Sequence, residues 1–223
     1  MAGLRGVLSI SAPMSFGIRH LSPAMADFAR RHPDLEIVID YDDRIIDLVR
    51  GRFDLAVRIG QMPDSGLIAR KLCEDPRVVV ASPDYVARRG APTGLADLVE
   101  HHSIGYLNVH SAQLWQFLDG NGGVVGLPMQ GRIVANNGEA MRDMAIAGLG
   151  LTVIPLFIAQ DALADGRLVR LFEHLTPVPL PISVVWPPVK PMPMKLRTMI
   201  DHLANVFGTA PPWLAGDKNR AGG

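Results

Sequence analysis

Short apolar runs alternate with amphipathic helical repeats along most of the chain, and this alternation leaves few folds open. Runs with strand character fall at residues 6–11, 35–41, 54–59, 77–81, 104–107, 130–134, 151–154 and 182–186. After the first run, Leu21, Met25, Phe28 and Ala29 repeat on one helical face, with Arg30 and Arg31 in the last turn, where cations suit the helix dipole. Pro23 either starts a fresh helical segment or kinks this one. Residues 43–51 read as a short helix capped by Asp43 and stopped by Gly51. Leu196, Met199, Ile200, Leu203 and Phe207 form a further stripe that ends at Gly208. Strands and helices at this spacing build right-handed βαβ units and mostly parallel sheets, so the fold class is α/β.

Punctuation divides the chain. "EDPRVVVASPDY" is β-rich and ends in Ser-Pro, after which the pattern resets. "LTPVPLPISVVWPPVKPMPM" concentrates many of the 18 prolines in one segment with a strand inside it. Two crossovers at these places predict two Rossmann-like lobes: residues 1–79 with 180–208, and residues 80–179. A flexible tail is expected at 209–223. Ligands in open α/β sheets bind outside the carboxyl ends of the strands, and two such lobes would form a cleft.

Composition excludes several functions. Twenty-two basic residues balance 22 acidic ones, whereas a duplex-binding module shows a basic excess on one face. The single cysteine, Cys73, cannot form an intrachain disulfide and has no metal-ligand spacing; a buried apolar role is expected. No apolar run approaches the ~18 residues of a membrane span, and the N-terminus lacks the apolar core of a signal peptide. A soluble cytoplasmic protein is expected. Catalysis finds no support. There is no Gly-x-Ser-x-Gly elbow, and the seven histidines show no metal spacing. His101 and His102 read as solvated, Trp115 as a core anchor. No catalytic residue, metal or cofactor is expected.

Four places could hold a ligand. "SAPMSFG" joins the first strand to a helix N-terminus, where free N–H groups and the hydroxyls of Ser11 and Ser15 would suit an anion; an ordinary capped junction explains it equally. "ANNGEA" is a second such junction. Asn136 and Glu139 have capping-box spacing, Asn137 is left over for a ligand, and Gly138 permits close approach to the backbone. Arg58, at the end of "FDLAVRIG" before Gly60, either meets an acid in the cleft or pairs with Asp42, Asp43 or Asp64, the structural pair being the preferred reading. Tyr106, Asn108 and Ser111 could bond or stack on a ligand.

Taken in order, "SAPMSFG", "DRIIDLV", "FDLAVRIG" and "NNGEA" resemble the effector-binding (regulatory) domain of LysR-type transcriptional regulators over about residues 4–207. The resemblance implies a two-lobed fold like the type 2 periplasmic binding proteins, its lobes joined by two crossover strands. A small-molecule effector would lie between them, a carboxylate or a small polar-aromatic compound. It implies effector contacts at Ser11, Pro13, Met14, Ser15 and Phe16, at Asp43 in the loop from Tyr41 to Arg44, at Arg58 and Gly60, and at Tyr106, Asn136, Asn137, Gly138 and Glu139. Pro13 and Phe16 would shape a wall, and the serines would grip. The family plan also implies a homodimer of antiparallel regulatory domains, or a tetramer in the full-length protein, paired through the first helix and the second strand. DNA would be contacted only through an N-terminal winged helix-turn-helix lying outside this sequence, and no membrane is expected. The competing readings are a stand-alone solute-binding protein of a transport system, with the same fold, and an enzyme, for which none of the four lysines lies at a predicted cleft junction.

Overall fold

Pro13 sets the first turn. Its backbone has φ −61° and ψ 141°, extended values that close a strand, so β1 (Gly6–Ala12) stops there and α1 (Met14–Phe16) begins. The helix passes through a π turn, Gly17–Leu21, into α2 (Ser22–Arg31). Pro23 has no N–H, and its ring displaces the carbonyl one turn back. The chain absorbs this in the wider turn: the Ser22 N–H donates to the Gly17 carbonyl, and the Ser22 hydroxyl donates to the same oxygen at 2.9 Å. Pro23 therefore starts a fresh helical segment, sitting in the first turn of α2. The remaining elements are β2 (Leu35–Tyr41), β3 (Leu55–Ile59), β4 (Ile68–Asp75), β5 (Arg77–Ala81), α3 (Pro83–Arg89), β6 (Ser103–Tyr106), β7 (Leu114–Leu118), β8 (Val124–Pro128), β9 (Ile133–Ala135), α4 (Gly138–Ile146), β10 (Leu151–Pro155), α5 (Leu156–Ala164), β11 (Val169–Leu171), β12 (Thr176–Pro177), β13 (Leu180–Trp186) and α6 (Met194–Phe207).

The structure is a computed structural model that describes residues 3–44, 48, 50, 53–62, 66–108, 114–119, 121–128, 131, 133–172, 175–208 and 211–214. The body of the helix expected at 43–51, together with Asp64 and Ser111, lies outside the described residues.

The chain forms two compact units, Met1–Glu74 with Pro181–Gly223, and Asp75–Leu180. Residues 75–79, assigned to the first lobe from the sequence, belong to the second unit because β5 pairs with β10 and β11. The first unit holds one sheet in the order β2-β1-β3-β13-β4. β1 is parallel to both β2 and β3, and β13 runs antiparallel to β3. The second unit holds the order β11-β5-β10-β6-β9 and a further sheet, β12-β7-β8. Only its β10-β6-β9 segment is parallel; β5 and β11 join antiparallel, as do β12, β7 and β8. The expectation of mostly parallel sheets thus holds for one half of each main sheet, β2-β1-β3 and β10-β6-β9, and not for either sheet as a whole.

Each unit has its own core. The apolar stripe of α6 is buried at Leu196, Met199, Ile200, Leu203 and Phe207. On α2, Ala24, Met25 and Phe28 are buried while Ala29 is exposed. Trp115 lies in the core of the second unit with Val79, Tyr85, Phe117 and Leu151. Cys73 is half-buried on the edge strand β4, not a core residue. His101 is also not solvated: it is buried, with Nδ1 3.2 Å from the Tyr85 hydroxyl, which in turn accepts the His102 N–H at 3.0 Å. Residues 211–214, assigned to a flexible tail, are packed. Trp213 is 3% exposed, and its ring lies 4.3 Å from His20 and 5.6 Å from Phe16.

His202 joins α6 to α2 and supplies a pH dependence. Its Nε2 lies 2.9 Å from the Ala24 carbonyl, which can only accept. Nε2 therefore carries the proton, and Nδ1 accepts from the Arg31 guanidinium at 2.7 Å. The Arg31 contact selects the neutral ring, whereas the Ala24 carbonyl fixes the tautomer and works weakly the other way. Burial pushes the His202 pKa below 6.5, and the Arg31 charge adds to this. The unfolded chain then takes up the proton first as pH falls, so stability declines below the unfolded value of 6.5 and continues to decline until the folded pKa is passed. Urea midpoints measured between about pH 7.5 and 5 are expected to fall with pH. His202→Gln should flatten the slope in part, the remainder belonging to groups such as His101, whose pKa burial also lowers.

Candidate functional site

In the first unit the strand order places β2 on one side of β1 and β3 on the other. The chain therefore reverses its winding between β1 and β3, and open α/β sheets bind ligands at such a switch point, beyond the strand carboxyl ends. Ser11 lies near the end of β1 and Arg58 near the end of β3. Arg58 Nη1 donates to Ser11 Oγ at 3.2 Å and to its own neighbour's carbonyl, Val57 O, at 3.0 Å. Nη2 is buried and has no hydrogen-bond partner.

Among the described residues the preferred sequence reading, a structural ion pair for Arg58, does not form with Asp42 or Asp43. Asp42 is engaged by Arg44, whose Nε and Nη2 reach it at 2.9 and 2.6 Å. This hydrogen bonding holds the Asp42 carboxyl below its usual range. Asp43 accepts the Met14 N–H at 2.9 Å, so the donor expected to face an anion already faces a carboxylate of the chain. Asp42 acts on Arg58 through its charge alone. Burial lowers the Arg58 pKa, and Asp42 partly offsets this.

The other predicted residues of this junction divide. Pro13 is half-buried, Met14 is exposed and Ser15 is buried. Phe16 is not a wall residue here: it is 0% exposed and its ring packs on Phe207 at 5.4 Å and on Trp213 at 5.6 Å. It supports the junction from behind. The Tyr41 hydroxyl bonds Ser22 Oγ at 2.7 Å, tying the end of β2 to α2. Gly60 has φ +106°, which allows the chain to turn after β3 while its N–H donates to Pro181 O at 2.9 Å.

In the second unit, Tyr106 ends β6 and Asn136 follows β9, two parallel neighbours. Asn108 Nδ2 donates to the Asn136 carbonyl at 3.3 Å. The two asparagines exchange their expected roles. Asn137 is the N-cap of α4, its Oδ1 accepting from the N–H groups of Glu139 at 2.9 Å and Ala140 at 3.2 Å. Asn136 is the exposed residue. Glu139 pairs with Arg142 one turn on. A Cβ at Gly138 would fall 2.4 Å from Ile158 Cδ1, so the missing side chain makes room for α5. Asn137→Ala is expected to destabilise the protein by about 1 kcal/mol through loss of the cap. Asn136→Ala should stay within about 0.5 kcal/mol, both read from urea unfolding.

The aromatic support of the first junction by Trp213 and His20 was missed from the sequence, although a tryptophan after two prolines in an otherwise polar tail was available as a signal. Among the described residues there is no group of three or more His, Cys, Asp or Glu side chains able to hold a metal ion. No helix among them is long and apolar enough to cross a membrane.

Residues 1–208 match the LysR substrate binding domain family. The chain belongs to that family. It is 36% identical over 212 residues to the HTH-type transcriptional regulator PtxR of Pseudomonas aeruginosa, covering 94% of this chain and 67% of that protein. It is 29% identical over 205 residues to the HTH-type transcriptional regulator CrgA of Neisseria meningitidis, covering 92% and 68%. Its structure is similar to the CrgA regulatory domain, with TM-score 0.79 at 29% identity over 92% of this chain and 100% of that one. Full-length AphB of Vibrio cholerae gives 0.77 at 30% identity, covering 92% and 69%. The LysR resemblance read from the motifs is therefore correct. The chain is an effector-binding domain of the LysR type with the type 2 periplasmic-binding-protein-like fold.

Proposed function

We propose that this domain binds a small metabolite, a carboxylate or a small polar-aromatic compound, and passes the binding event to a DNA-binding domain of the same regulator. The observation that carries the reading is the switch point between β1 and β3, where Ser11 and Arg58 gather at the carboxyl ends of strands in a LysR-type domain. Within the first unit the candidate contacts are Ser11, Pro13, Met14, Ser15, Asp43, Arg58 and Gly60. Within the second, taken by itself, they are Tyr106, Asn136 and the start of α4. Phe16, Asn137 and Gly138 act by holding these elements in place.

Binding shifts a conformational equilibrium only by the difference in the effector's affinity for the two states, on a usual scale of about 1–3 kcal/mol. No covalent chemistry is part of this reading, and the cytoplasm is its setting. Dimerisation would use α2 and the edge strand β2, where Val38 is 45% exposed beside half-buried Ile37 and Ile39; an open apolar edge of this kind calls for a cover.

A thermal-shift screen of organic acids and small aromatics tests the proposal. A true effector at a hundredfold excess over its Kd stabilises the parent by about 2.7 kcal/mol. Ser15→Ala and Asn136→Ala should each reduce that gain. Equal stabilisation of both variants and the parent, or no stabilising compound at all, contradicts it.

A further inference from the structure

Arg58 is a buried cation whose hydrogen bonds run only to neutral acceptors. It is 7% exposed. Nη1 is held by Ser11 Oγ and Val57 O, while Nη2 has no partner and no access to solvent. A buried guanidinium with an unsatisfied N–H is expensive to maintain, because both desolvation and the lost hydrogen bonds oppose it. A purely structural arginine avoids this by finding a carboxylate or spending its donors on carbonyls. Arg77 shows the second course: it is half-buried, and its Nε donates to Val178 O at 2.6 Å. Of the carboxylates the sequence offers it, Asp42 is committed to Arg44 and Asp43 to the Met14 N–H, while Asp64 lies outside the described residues.

We infer that Arg58 is the seat of a singly charged anionic group on the effector, a monocarboxylate, with Nη2 as the recognising donor and Ser11 positioning the guanidinium through Nη1. The inference rests on the effector-domain reading and names the ligand class for the switch point of the first unit. Two features select the charge. The unsatisfied donor and a positive charge that Asp42 offsets only in part ask for one acceptor oxygen bearing negative charge, and charge-assisted bonds of this type are roughly twice as strong as neutral ones. Asp42, whose field already reaches Arg58, and Asp43, at the adjoining turn, would repel a second negative charge. A dicarboxylate is therefore a poor ligand, and a neutral amide leaves the cation unpaired. Because Nη2 is sealed from solvent, the seat must open to admit the anion and then close over a desolvated pair.

The test is a set of matched charge series on the whole chain at fixed ionic strength: succinate, succinamate and succinamide, benzoate with benzamide, and propionate with propionamide. Each is titrated by thermal shift and by NMR against the parent, Arg58→Gln and Arg58→Lys. The monoanion of at least one series is expected to bind about tenfold or more tighter than its amide, and succinamate tighter than succinate. Arg58→Gln should bring the acid-to-amide ratio to about one, and Arg58→Lys should keep part of it. The inference is overturned if amides bind the parent as tightly as acids, if no monoanion of the panel binds, or if Arg58→Gln keeps the parent's ratio. Should Arg58→Gln not fold, the parent's own ratios decide. Neutral compounds binding in a Ser15-dependent way without any advantage for acids would sink this inference and leave the effector-domain reading standing. A broad panel in which nothing binds, acid or neutral, removes that reading itself.

Discussion

Phe16→Ala is expected to lower the unfolding free energy by about 3–5 kcal/mol, the usual range for truncating a fully buried phenylalanine. The ring has no exposed surface and lies within 6 Å of three aromatic neighbours, with centroids 5.4 Å from Phe207, 5.6 Å from Trp213 and 5.6 Å from His20. These come from α6, the segment after it and the π turn, so no single shift of one element can close the cavity. Urea unfolding followed by circular dichroism reads the change directly. The alternative assignment, Phe16 as a wall of the effector site, predicts the opposite pattern: a loss of ligand affinity with little loss of stability. A stability change below about 1 kcal/mol would favour that alternative.

Trp213→Ala should have the second largest effect, about 3 kcal/mol, near the lower end of the range for buried aromatics. The residue belongs to a short 3-10 turn, Pro212–Leu214, close to the end of the chain. A short turn can relax around the lost ring more readily than a long helix can, which limits the cavity left behind. What it leaves exposed is the far side of Phe16 and His20. The two substitutions touch one contact, so their effects should not add; a double-mutant cycle is expected to give a coupling of about 0.5–3 kcal/mol. Additivity within error would mean that the turn at 212–214 does not pack on the first junction in solution.

The same cluster shows what the sequence could and could not reveal. The stripe Leu196, Met199, Ile200, Leu203 and Phe207 was legible because a helix buried on one face repeats at helical spacing, and all five residues are buried. The βαβ start was legible from Pro13 and the change of period around it. β4, β7, β8, β11 and β12 were not read as strands. β4 exposes its first four residues and carries Arg70, Lys71, Glu74 and Asp75, so it lacks the apolar alternation on which strand recognition depends. β8 is mostly exposed, and β11 is only three residues long.

The candidate site was legible to the level of segments and not of atoms. Two adjacent asparagines both satisfy the preference for a helix N-cap, and only backbone geometry decides that Asn137 holds the Glu139 and Ala140 N–H groups. Arg58 had carboxylates nearby in sequence. That Arg44 and the Met14 N–H would claim them first depends on how the end of β2 meets the end of β1, where the Asp42 N–H donates to Ala12 O at 3.0 Å. A switch point follows from strand order, which sequence pattern alone does not fix. Phe16 shows the converse: an aromatic beside polar residues suggests a ligand wall, yet its partners lie about two hundred residues away at Phe207 and Trp213.

The most direct test of the effector-domain account is the electron density of a crystal of this chain grown with the compound that raises its melting temperature most. The account predicts density for that compound at the switch point between β1 and β3, and the Arg58 inference adds a carboxylate oxygen about 2.7–2.9 Å from Nη2. Density for the compound away from that switch point would contradict the account.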